Sequence, residues 1–263
     1  MAAPLILLPP SEGKADGGTG APWAPGTMAV DLDAQRERVL DALVKSARWS
    51  AARRQHLLGV KGDALAAATE ANSSVRTSPT LPAVERYTGV LYDALDVGSL
   101  RAAARRRLDR SVLIASGLWG LVAPADPVPD YKLKMGATLP GPGKLQTFWA
   151  AACTETLLGR AGSGRSAATV WNLLPVEHDA VWRPPAGFAQ YRVKFLERRS
   201  DGSLVAVAHW NKLLKGALVR WLLAHPSAGP EDLGEWDHPL GYRLDLARTE
   251  TGPSGTTLVF VQV

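Results

Sequence analysis

A short apolar run near the N-terminus, Leu5-Ile6-Leu7-Leu8, breaks into Pro9-Pro10-Ser11-Glu12-Gly13-Lys14. A hydroxyl, a carboxylate and an amine on either side of a glycine suit a loop at a strand end that faces a ligand. The spacing lacks the earlier glycine of a Walker loop, so nucleotide hydrolysis by that motif is excluded. A plain turn, with Ser11 bonded to nearby backbone, fits the same residues.

A second group is Ser116-Gly117-Leu118-Trp119-Gly120. Glycines at this spacing let backbone N–H groups approach a phosphate, the logic of a helix-hairpin-helix element on DNA. A tight turn buried by Trp119 is the competing reading. In Tyr131-Lys132-Leu133-Lys134-Met135-Gly136 two lysines alternate, so extended chain presents both on one face, to phosphates or to solvent. Lys212 and Lys215 stand three apart and share a helical face. Asn172 and Glu177 offer hydrogen bonds to a ligand or to neighbouring loops. Cys153 is the only cysteine, which excludes a disulfide framework within the chain. It reads as a small buried hydrophobe on a helix. The five histidines have no close zinc-ligand spacing, so neither metal nor cofactor is expected.

Periodicity and breakers supply the elements that must position these groups. Residues 4–8, 111–116, 168–174 and 191–196 read as strands. Asp201-Gly202, between 191–198 and 204–208, marks a hairpin. Helices are expected over 33–49, 51–58, 63–70, 85–95, 100–108, 145–158 and 210–223, with Asp31 or Asp33 capping the first. Residues 11–28 and 124–142 are loops punctuated by Gly and Pro, and 242–263 holds two more strands. Strands and helices alternate unevenly around one clear hairpin. That pattern gives a single compact α+β domain over 1–263, a mixed β-sheet surrounded by helices.

Composition narrows the function classes. The chain has 263 residues, 46% hydrophobic and 21% charged, which excludes a disordered or fibrous protein. No apolar run approaches the ~18 residues of a membrane span. The N-terminal run is too short for a signal peptide, so a cytoplasmic protein without a membrane partner is expected. A formal charge of +5 is compatible with nucleic acid or an anionic substrate.

Taken in order, the chain from Leu5 to Lys14, Tyr87-Thr88-Gly89-Val90-Leu91-Tyr92, Ser116 to Gly120 with Pro124-Ala125-Asp126, Tyr131 to Gly136, Phe148-Trp149, Asn172-Leu173 with Glu177, and Lys212-x-x-Lys215-Gly216 resembles the YaaA family of peroxide-stress proteins. The resemblance spans nearly the whole chain. It implies a bacterial, cytoplasmic α+β domain with a basic cleft and a helix-hairpin-helix-like element. It also implies binding of double-stranded DNA and protection from oxidative damage, linked to lowered free intracellular iron. By position, Lys14, Lys132, Lys134, Lys212 and Lys215 would face the cleft, with Gly117 and Gly120 at the hairpin turn. There cations neutralise phosphates, and amides hold the backbone without reading sequence.

The chain departs from the family at two places. Relatives commonly carry Asn-Leu-Ala-Ser-x-Glu-Tyr where this chain has Pro175 for the Ser and His178 for the Tyr. The familiar Lys-Lys-x-Arg-Gly is here Lys212-Leu213-Leu214-Lys215-Gly216. The alternative function is an enzyme using the same cleft on a small anionic or nucleotide-like substrate, as a paralogue recruited to metabolism. Its acid–base groups would come from Ser11, Glu12, Lys14, Tyr131, Asn172 and Glu177.

Overall fold

The computed structural model describes residues 4–162, 168–186, 188–207 and 210–263. Leu5–Leu8 forms the first strand, β1, and all four side chains are buried. Such an unalternating apolar run belongs inside a parallel sheet covered on both faces. β2 (Val112–Ser116) runs parallel to β1, then turns back into antiparallel β3 (Gly120–Val122) at one edge. On its other side β1 has β4 (Val170–Asn172), also parallel. Next comes β5 (Gln190–Arg198), parallel to β4, with β6 (Leu204–Ala206) folded antiparallel onto its end through the Asp201-Gly202 turn. Ala208, in the expected hairpin strand, lies outside the described residues.

The C-terminal tail supplies three strands rather than two: β7 (Tyr242–Leu244), β8 (Glu250–Gly252) and β9 (Gly255–Gln262). β9 pairs in parallel with β5 and antiparallel with β7 and β8. The order is therefore β7-β9-β5-β4-β1-β2-β3, a mixed sheet in one compact α+β domain.

The helices are α1 (Asp33–Ser46), α2 (Ala51–Leu58), α3 (Asp63–Ser74), α4 (Val90–Leu95), α5 (Ala102–Ser111), α6 (Leu145–Ala161) and α7 (Asn211–Ala224). The expected helix over 85–95 is broken. A helical turn at Ala83–Arg86 ends at Tyr87, and α4 restarts after Gly89, whose φ of 97° a helix interior does not allow. Leu32, not an aspartate, occupies the cap position of α1. Asp33 sits one step inside, accepting the Gly26 N–H at 2.6 Å and pairing with Arg36 at 2.8 Å. Cys153 on α6 is buried, which pushes its thiol up to about 12. Among the described residues no helix is long and apolar enough to cross a membrane.

Two features position the site. First, the chain passes from β1 to β2 on one side, then to β4 on the other, so the direction of winding reverses beside β1. In parallel sheets a crevice opens outside the carboxyl ends of the strands at such a reversal. The segments leaving those ends are Pro9 to Lys14, Gly117 to Trp119 and Leu173 to His178. Second, two fully buried arginines clamp loops by their backbone. Arg36 donates to the carbonyls of Val30, Trp119 and Leu121. Arg86 donates to those of Ala15, Gly17, Pro79 and Val128, and so holds the loop beyond Lys14. Charge-assisted bonds of this kind contribute about 1.5–3 kcal/mol each.

The Gly117–Gly120 turn joins two paired strands, with Ser116 opposite Gly120, so it is not a helix-hairpin-helix element. Its amides are also engaged: the N–H groups of Leu118 and Trp119 donate to Ser116 Oγ at 3.2 and 3.1 Å. Glycine is required for close approach. A Cβ on Gly117 would lie 2.8 Å from the Lys134 backbone, and one on Gly120 would lie 2.7 Å from the Trp149 ring. Trp149 Nε1 donates to the Gly117 carbonyl at 2.9 Å, which ties α6 to the turn.

Candidate functional site

The crevice holds two adjoining cavities. An inner chamber of about 50 Å³ is lined by Ser11, Glu12, Lys14, Tyr131, Lys132, Lys134, Glu177 and His178, among others. An outer, more open cavity of about 720 Å³ shares Lys134 and Glu177 with it and adds Trp49, Arg53, His56 and Gly59 from the side of α2.

Side-chain burial alternates from 131 to 139, across a turn at Met135-Gly136 closed by the Ala137 N–H on the Lys134 carbonyl. Tyr131, Leu133, Met135, Ala137 and Leu139 are buried, while Lys132 and Lys134 are half-buried on the opposite face. α3 fixes this register: Asn72 accepts from the Lys132 N–H at 2.8 Å and donates to its carbonyl at 2.9 Å. Both lysines reach Glu12, Lys132 at 2.9 Å and Lys134 at 3.5 Å. The hydrogen bond from Lys132, with the attraction of both amines, holds the Glu12 carboxyl below its ordinary value. Glu12 is therefore a carboxylate at neutral pH, suited to pairing with cations rather than to donating a proton.

Lys14 has a different environment. Its amine lies over the Tyr131 ring, 4.2 Å from the centroid, and 5.9 Å from that of Tyr87. Burial pulls the Lys14 amine down to about 8; Lys132 and Arg86 act in the same direction, and Asp130 and Glu12 oppose it. Beneath it runs a chain of buried hydroxyls. Tyr87 and Tyr131 are 2.8 Å apart, and Tyr131 and Ser116 are 2.7 Å apart. Burial raises both phenols, Tyr87 to about 12. They remain protonated around the ammonium. Tyr92 Oη donates to the Pro9 carbonyl at 2.8 Å, so the Tyr87–Tyr92 segment braces the Pro9–Lys14 loop.

Glu177 is exposed and accepts the Gly136 N–H at 2.9 Å, joining the β4 exit loop to the lysine strand. His178, next to it, is 8% exposed. Its Nδ1 has no hydrogen-bond partner among the described residues. Burial lowers its pKa, so it is neutral at physiological pH.

Several expected site residues stand elsewhere. Asn172 is buried in a structural network: its Oδ1 accepts the Leu174 N–H, and its Nδ2 donates to Gln190 and Asp179. Lys215 donates to the Leu173 carbonyl at 2.9 Å, and burial pulls it down to about 8, with Arg192 adding to the effect. Lys212 is exposed. Neither lysine of α7 lines the two cavities around Lys14. Gly216 instead packs α7 against α4, where a Cβ would collide with the Leu91 carbonyl oxygen. Gly117 packs against the Lys134 backbone and Gly120 against Trp149, and neither lines the two cavities.

The sequence reading missed a second pair of glycines. α2 ends at Gly59, φ 68°, and α3 starts after Gly62, φ 59°. Two helices in contact are thus joined by Gly59-Val60-Lys61-Gly62, with Gly59, Lys61 and Gly62 exposed. A Cβ on Gly59 would lie 3.1 Å from Lys134 Nζ, which sets this turn on the rim of the outer cavity. Arg53, on α2, stacks over Trp49 at 4.0 Å on the same rim. The sequence signal was the Gly-x-x-Gly between two helices that periodicity already gives.

A family model described as peroxide stress protein YaaA matches residues 5–248. A UPF0246 protein of Streptomyces coelicolor is 42% identical over 255 residues, covering 94% of each chain. A UPF0246 protein of Corynebacterium efficiens is 34% identical over 235 residues, 84% of this chain and 86% of its own. Another, of Laribacter hongkongensis, is 33% identical over 183 residues, covering 68% and 69%.

Proposed function

The chain belongs to the peroxide stress protein YaaA family, and from that membership we propose that it protects the bacterial cytoplasm under peroxide stress by binding double-stranded DNA. In this reading α2, the Gly59–Gly62 turn and α3 form a helix-hairpin-helix element, whose exposed backbone faces a phosphate strand. Lys61, Arg53 and Lys134 neutralise charge beside it, so binding is insensitive to sequence. The observation that carries the reading is the approach of Lys134 Nζ to Gly59, because it puts the glycine turn and a cavity lysine on one rim. Among the described residues no group of three or more His, Cys, Asp or Glu is placed to hold a metal. Lowered free iron is, in this reading, a consequence of the protective role.

Charge reversal tests the surface. Lys61→Glu with Lys134→Glu is expected to weaken duplex binding at least tenfold at about 50 mM salt, equally for unrelated sequences. Lys212→Glu with Lys215→Glu, remote from the rim, is expected to change it by less than about threefold. The reverse ranking would place the DNA on α7 instead.

A second reading has its own observation. The inner chamber is small and lined by a half-buried amine whose pKa is lowered by desolvation, which duplex binding does not require. That favours an enzyme acting on a small anionic or nucleotide-like substrate in the same cavity.

A further inference from the structure

Three polar groups on the inner chamber have no hydrogen-bond partner among the described residues. Lys14 Nζ makes no hydrogen bond or ion pair among the described residues and rests against the Tyr131 ring. His178 Nδ1 is buried and unpaired. Ser11 Oγ, on the loop that carries Lys14, likewise makes no hydrogen bond among the described residues. Of these three, His178 Nδ1 is the buried one, and leaving a buried polar atom unmet costs about 1–3 kcal/mol, so it points to an occupant of the chamber. At the cavity mouth Lys132 and Lys134 share the single carboxylate of Glu12, which leaves the trio net positive.

We propose that the inner chamber is a carbonyl-binding site, where Lys14 condenses with a small anionic aldehyde or ketone and Lys132 and Lys134 hold its anionic end. The inference rests on the small-ligand reading of the cavity. The amine must be neutral to attack, and burial supplies that form: near pH 8 about half of Lys14 is unprotonated. The groups that face the amine are Asp130 and Glu12, which favour its charge, and Lys132 and Arg86, which oppose it.

The chemistry balances without an oxidant. The nitrogen lone pair adds to the carbonyl carbon as the C=O π pair moves to oxygen. One proton passes from nitrogen to that oxygen, giving a carbinolamine. A second proton then reaches the hydroxyl, the C–O bond breaks, and water leaves as the protonated imine forms. Neutral His178 relays the first proton from nitrogen to oxygen and finishes unchanged, and the second proton, which the protonated imine carries in the net balance, is taken from solvent. The surrounding phenols stay protonated beneath the amine.

Glyoxylate, the smallest anionic aldehyde, with cyanoborohydride converts each transient imine to carboxymethyl-lysine, and peptide mapping reads every site on the intact chain. At pH 7 to 8, Lys14 is expected to react between tenfold and a hundredfold faster than exposed Lys45 and Lys144. His178→Gln is expected to slow Lys14 at least tenfold and to flatten its pH profile. A packing defect alone would lower the melting temperature and leave the profile unchanged. Modification of Lys14 no faster than the exposed lysines overturns the proposal.

Titration with inorganic phosphate separates the two levels. If phosphate binds and slows carboxymethylation at Lys14, both the site and its chemistry stand. If it binds without a reactive Lys14, the imine falls and the small-ligand reading survives. If it neither binds nor protects, both fall.

Discussion

Two glycine turns lie within reach of Lys134, and they do opposite things. Gly117–Gly120 is buried between β2 and β3, and its N–H groups are spent on Ser116. Gly59–Gly62 is exposed between α2 and α3, and its residues carry positive φ at both ends. The first turn needs glycine for space, because a Cβ would strike the Lys134 backbone or the Trp149 ring, and at Gly120 also for its φ of 70°. The second needs glycine for conformation, and at Gly62 a Cβ would meet nothing within 4 Å. Glycine spacing alone therefore does not identify an anion-binding turn. The flanking elements, strands or helices, decide whether the amides are used up or presented.

Substitutions should separate the buried region from the rim. The largest effect is expected at Gly120→Val, where overpacking against Trp149 combines with a φ of 70°. Denaturant unfolding should show a loss of about 3 kcal/mol. A loss below about 1 kcal/mol would mean that the turn has room and that its burial is overstated.

Lys14→Met comes next, and its sign is positive. With the Lys14 pKa lowered from 10.5 to about 8, folding must hold a disfavoured charge below pH 8. Removing it should stabilise the protein by about 2 kcal/mol at pH 7, after allowing for the lost contact with Tyr131. Above pH 8 the native amine loses its proton before the unfolded one does, so wild-type stability rises with pH and the advantage of Met shrinks towards pH 10.5. Stability curves of the two proteins from about pH 6 to 10 check this directly. Parallel curves would place the Lys14 amine in water.

The smallest effect belongs to the rim. Gly62→Ala should cost about 1 kcal/mol, from strain alone, since nothing crowds the position. Its effect on duplex binding should exceed its effect on stability if those amides face phosphate. Equal unfolding losses at Gly62 and Gly120 would erase the distinction between the turns.

Much of the architecture was legible from the chain. β1 is readable because four consecutive apolar residues closed by Pro-Pro fit only a covered strand. The shared face of Lys132 and Lys134 follows from alternation, and both do meet Glu12. The helix break at Thr88-Gly89 was not legible, because the apolar spacing continues across it while the backbone does not. Arg36 and Arg86 escaped notice for a physical reason. Charge predicts a surface position, yet both are fully buried, each satisfied by backbone carbonyls far away in sequence. Asn172 looked like a ligand group because its chemistry is right, but its hydrogen-bonding capacity is consumed by Asp179, Gln190 and Leu174. Type and spacing nominate a polar residue; only its partners show whether it is free to act.

On the proposed reading, the rim around Gly59–Gly62 and Lys134 binds duplex phosphates. Its most direct test is the affinity of the full-length protein for an arbitrary duplex between about 50 and 200 mM salt. With about three phosphates neutralised by Lys61, Arg53 and Lys134, log affinity should fall against log salt with a slope near about −2.7, and Lys61→Glu should lower that slope by about 1. A slope near zero, or one that Lys61→Glu leaves unchanged, would contradict the account.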